Sequence, residues 1–149
     1  MIYFERCLRQ ARVPAPRRIH ILGASEPWVF PDLRAEMLDL YPQAVVGEGR
    51  FDESTPPETD LVVVPLVEGY EFPYQDVVYR ALPLLRDLGK GPLGRSRAQV
   101  LIYRARWREA EVVPAASLRR YASRRGLERR VIGWVRRSAL LKKILQPRP

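Results

Sequence analysis

The side chains able to do nucleophilic or metal chemistry are few: one His and one Cys in 149 residues. A Ser-His-Asp or Cys-His mechanism would have to use His20. It stands between Ile19 and Ile21 in a stretch that reads as a strand, where a packed imidazole is expected before a catalytic one. Cys7 has no partner for an intrachain disulfide and is expected to behave as a small apolar residue. A zinc site of His/Cys type needs three or four such ligands, so no metal site is expected within the chain. No catalytic residue is assigned from these two side chains.

Phosphate-binding signatures are equally incomplete. Gly89-Lys90-Gly91-Pro92-Leu93-Gly94 has the composition of a phosphate loop but not the order Gly-x-x-x-x-Gly-Lys-Ser/Thr. A dinucleotide fingerprint needs three spaced glycines after the first strand and an acid about 20 residues on. Gly23 is the one glycine of its loop, Pro27 and Trp28 obstruct a close backbone approach, and Glu48 alone stands at a plausible distance. NAD and FAD are therefore not expected, and no cofactor is identified.

Open α/β sheets place ligands beyond the carboxyl ends of their strands. The residues that would stand there are Gly23, Ser25, Glu48, Arg50, Glu68, Tyr70 and Arg104. Two arginines able to fork onto phosphate or carboxylate, with acids able to accept from hydroxyls, would suit a nucleotide or sugar nucleotide. Ordinary solvated loop residues are the alternative.

Charge is distributed unevenly. From Ser117 to Pro149 eleven basic residues stand against Glu128 alone, a net of +10; the preceding 116 residues hold 15 basic and 16 acidic side chains. Such asymmetry points to a polyanionic partner. Projected at about 100° per residue, Leu127, Val131, Trp134, Val135, Ala139, Leu141 and Leu145 share one broad face. Arg129, Arg136, Arg137 and Lys143 lie opposite, while Leu140 and Ile144 depart from the pattern. Arg129, Arg130, Trp134, Arg136, Arg137, Lys142 and Lys143 are the candidate contacts with an anionic surface, foremost a membrane face. Nucleic acid is a further possible partner, although no recognised motif accompanies the arginines. The helix could equally pack its apolar face on the sheet or on a protein partner chain.

The elements that must position these residues centre on Asp60-Leu61-Val62-Val63-Val64-Pro65-Leu66. Its apolar run lacks alternation, as in a parallel strand covered on both faces. Earlier come a short helix over residues 1–12, a strand over Arg17–Gly23, a helix starting near Pro31-Asp32 with Leu33, Met37, Leu40 and Tyr41 on one stripe, and a short strand at Ala44–Gly47. Residues 51–59 read as loop. A helix with Val77, Ala81, Leu85 and Leu88 on one line follows the central strand. Pro83 should kink it and Gly89 end it. Ala98–Tyr103 is the fourth strand, and the last third reads as helix, with Pro114 in a first turn.

This order predicts a small Rossmann- or flavodoxin-like, doubly wound and mainly parallel sheet of about four strands over residues 1–113. A basic amphipathic helical extension occupies 114–149. The N-terminus lacks the apolar run of a signal peptide, and no stretch has the length of a spanning helix, so a soluble, cytoplasmic protein, peripheral to a membrane, is expected. A Rossmann-like sheet joined to a basic, apolar helix resembles, in architecture and not in motif, the acceptor-side half of two-domain glycosyltransferases that act on membrane lipids. That resemblance implies a nucleotide-sugar-dependent half working with a partner chain. The charge layout implies a ligand-binding or adaptor domain held at an anionic surface.

Overall fold

The computed structural model describes residues 2–22, 33–50, 54–66, 74–104 and 109–145. Five strands form one sheet: β1 (Arg18–Leu22), β2 (Val45–Gly49), β3 (Leu61–Leu66), β4 (Gln99–Arg104) and β5 (Glu109–Pro114). Their spatial order is β2-β1-β3-β4-β5. The first four run parallel, and β5 returns antiparallel beside β4. Among the described residues four helices accompany them: α1 (Ile2–Gln10), α2 (Leu33–Leu40), α3 (Tyr74–Lys90) and α4 (Leu118–Leu145). The fold is α/β and Rossmann-like in general arrangement.

The valine run fulfils its pattern. Leu61, Val62, Val63 and Val64 are all fully buried in the middle strand, and the two-residue period of a strand sends them alternately to opposite faces. Val62 and Val64 join Val100, Ile102, Leu82, Leu85, Leu118 and Ala122 in one core. Leu61 and Val63 join Ile19, Ile21, Leu101, Leu8, Leu33 and Met37 in the other. Helices α3 and α4 thus cover one face of the sheet and α1 and α2 the other. Two such cores are what the absence of alternation requires.

Asp60 ties the amino ends of three strands together. Its Oδ2 accepts from the backbone N–H of Arg17 at 2.8 Å and of Arg18 at 3.0 Å. Its own N–H donates to the Arg18 carbonyl, and its carbonyl accepts from Gln99, both at 2.9 Å. The consequence is a fixed register from β1 through β3 to β4.

Several boundaries differ from the sequence reading. Strand β5 was not anticipated, because Glu109, Glu111 and Pro114 are poor strand residues. An edge strand tolerates proline, and Val113 on one face with Ala110 and Val112 on the other completes both cores. Helix α3 continues through Pro83 to Lys90. Residues Pro92–Arg95 form a short 3-10 turn instead of open loop. Helix α4 is a single element that crosses Gly126, and its first turns belong to the sheet's core through Leu118 and Ala122. The helical start foreseen at Pro31-Asp32 lies outside the described residues.

Candidate functional site

Parallel pairing brings the carboxyl ends of β1 to β4 to one rim of the sheet, with Leu22 beside Gly49 and Leu66 beside Arg104. Of the seven strand-end candidates, Glu48 is exposed on β2, Arg50 follows that strand and is exposed, and Arg104 is the last residue of β4. Gly23, Ser25, Glu68 and Tyr70 lie outside the described residues. The rim therefore brings Glu48 and Arg50 together at one edge strand and puts Arg104 two strands beyond β1.

His20 is buried at 8% exposure in β1, paired in register with Gly47 of β2 and Val62 of β3. A β-carbon built on Gly47 would stand 3.2 Å from its Nδ1, so the glycine makes room for the imidazole. This is the packed histidine that a mid-strand position leads one to expect. Cys7, half-buried on α1, donates its thiol to the Ala110 carbonyl at 3.6 Å and joins that helix to β5.

The glycine-rich run at 89–94 has a packing role. A β-carbon on Gly94 would fall 1.9 Å from the Gly89 carbonyl oxygen, and one on Gly89 would meet Leu118 and Arg119 at about 3 Å. The glycines let the end of α3, the following turn and the start of α4 approach one another. Close contact explains Gly89 and Gly94.

Helix α4 is held at its first turns by a polar cluster. Tyr121 donates its hydroxyl to Glu111 Oε2 at 2.9 Å. Arg125 bridges Glu111 at 3.3 Å and Glu128 at 3.1 Å, with its guanidinium carbon 5.4 Å from the centre of the Tyr121 ring. Burial first, then the charge of Glu111, raises the Tyr121 phenol above its ordinary value. Burial opposes the charge on Arg125, but Tyr121 and the carboxylates outweigh it and raise its value further.

Beyond this anchor apolar side chains are exposed both on the stripe and off it, Leu140 and Ile144 included. Leu127, Val131, Trp134, Val135 and Leu145 are exposed, Trp134 by 67% and Leu145 by 77%. Leu118, Ala122, Gly126 and Gly133 mark the side facing the sheet and α3; at about 100° per residue that side is roughly opposite the stripe. The apolar face therefore does not pack on the sheet. Arg129, Arg130, Arg136, Arg137, Lys142 and Lys143 are exposed along the same rod. No described helix is long and apolar enough to cross a membrane.

Sequence reasoning missed a cleft of about 510 Å³ between α3 and α4, lined by Arg86, Arg129, Arg130 and Arg137 over a floor of Leu82 and Pro83. The signal lay in the stripe Gly126, Arg130, Gly133, Arg137, which has helical 4-3-4 spacing but is polar and so does not register as a buried face. No family model matches the chain, and neither a curated protein nor a solved structure is similar to it.

Proposed function

We propose that this protein is a Rossmann- or flavodoxin-type, doubly wound ligand-binding or adaptor domain held at an anionic surface, the cytoplasmic face of a membrane, by α4. The observation that carries the reading is the exposure of Leu127, Val131, Trp134, Val135 and Leu145 on a helix that holds nearly all of the excess positive charge. Contiguous apolar surface exposed to water marks a docking site. In helical projection Arg130 and Lys142 fall near the stripe's borders, where their stems can run along the lipid boundary while their charges reach head groups. Trp134 suits the interface between lipid and water.

Vesicle sedimentation tests it. The intact protein is expected to bind vesicles rich in phosphatidylserine; Arg136→Glu with Arg137→Glu should weaken binding chiefly at low salt, and Trp134→Ala at every salt concentration. Absence of binding at low salt, to these vesicles and to nucleic acid alike, would sink the polyanion reading. Binding to nucleic acid alone would move the partner to that class.

A second reading is favoured by the spacing of Leu127, Val131, Trp134, Ser138, Leu141 and Leu145, which is 4-3-4-3-4. This is a heptad seam. An antiparallel second copy would set position 127 against 145, 131 against 141, and the large Trp134 against the small Ser138. A dimer by light scattering that Trp134→Ala dissociates, with no vesicle binding, would select this reading over the membrane.

A further inference from the structure

The cleft between α3 and α4 gathers four arginines, and no carboxylate occurs among the described residues that line it. Guanidinium groups gathered along one recess raise its positive potential, and that potential favours a bound anion. Arg86 comes from α3 and the other three from α4, so the charges enclose the recess from both sides. Arg137 is held over it by donating Nε–H to the Gly133 carbonyl at 3.2 Å.

Two glycines give the recess its room. A β-carbon on Gly126 would meet nothing within 4 Å, and one on Gly133 only the Arg137 Nη2 at 3.9 Å. Neither glycine is required by close packing, although each costs a helix interior about 1 kcal/mol against alanine. What they leave is open space in front of the guanidinium groups, above apolar Leu82 and Pro83. The volume falls within the roughly 300–1,000 Å³ usual for small-ligand sites.

We infer that this cleft binds a compact, multiply charged phosphate group, either a phosphomonoester on a lipid headgroup or a soluble pyrophosphate-like anion. Arginine's planar fork matches phosphate oxygens in pairs, and several forks around one recess favour a dianion over the single charge of a phosphodiester. The lipid source rests on the membrane reading above; the soluble source does not.

Arg86 separates the two ideas, because it lies outside the basic tail and away from the apolar stripe. Titration calorimetry with pyrophosphate at physiological salt should show one saturable site, weakened about tenfold or more by Arg86→Gln. Gly126→Leu, which fills the recess without changing charge, should weaken it as well. Vesicles carrying phosphatidic acid should bind more tightly than phosphatidylserine vesicles of equal surface charge, and Arg86→Gln should erase that preference while leaving the phosphatidylserine level unchanged. Pyrophosphate binding that depends on Arg86, without a vesicle preference, identifies a soluble ligand; the same result without any vesicle binding also removes the membrane reading. If neither pyrophosphate binding nor a vesicle preference responds to Arg86→Gln and Gly126→Leu, the cleft inference is overturned, and equal binding to both vesicle types would then leave the membrane reading standing.

Discussion

Gly94 sits where no other residue fits, since its β-carbon would overlap the Gly89 carbonyl. Gly94→Ala must displace backbone at the junction of α3 and α4, and a loss of about 3 kcal/mol is expected from the urea unfolding midpoint. From composition the run reads as loop, whereas Gly89 and Lys90 end α3 and Pro92–Arg95 form a 3-10 turn. The reason for Gly94 is a contact five residues back in the chain, and no local pattern encodes that distance. A second residue-scale prediction concerns the phenols. Burial, then Glu5, raises Tyr41, as burial and Glu111 raise Tyr121. An acid whose folded value lies above its unfolded value stabilises the fold fully below about pH 10 and loses that contribution as pH rises through the folded value. Alkaline titration should therefore show late-ionising tyrosines, and Tyr121→Phe should remove one of them. The same substitution forfeits the bond to Glu111, worth about 1 kcal/mol.

At the scale of elements, α1 ends on a residue that its sequence does not favour. Arg12 has φ of 54°, and the N–H groups of Arg12 and Val13 donate to the carbonyls of Arg9 and Leu8, both at 3.0 Å. This is the Schellman arrangement, in which glycine is the usual left-handed residue. Arg12→Gly should raise stability by about 1 kcal/mol, seen as a higher melting temperature. The parallel strands were legible because burial on both faces removes polar residues from them, as in Leu61 to Val64. Strand β5 was not, since an edge position permits Glu111 to face α4 and Pro114 to end the ladder. That α4 is helical was legible from Leu118 onward; which of its sides meets the sheet is fixed by Leu118, Ala122 and the Tyr121–Glu111 bond, which only the fold brings together. Of the seven strand-end candidates, Glu48, Arg50 and Arg104 share a rim because their strands are parallel, whatever their chemistry, and the other four lie outside the described residues.

For the whole molecule, the two cores end with Ala122, and removing residues 127–149 deletes none of their buried side chains. The shortened chain should unfold cooperatively within a few degrees of the intact protein in a thermal melt. It loses seven basic residues and Glu128, so its formal charge drops from +9 to +3. Elution from a cation exchanger should fall to markedly lower salt. A melt that broadens or shifts far downward would mean that the outer half of α4 supports the sheet. Arranged as it is, with its positive groups gathered along one rod and a nearly neutral body at the other end, the molecule is also an electric dipole. In the field of an anionic wall such a dipole favours the orientation that turns the rod toward the wall, which gives the rim of the sheet a preferred height and tilt.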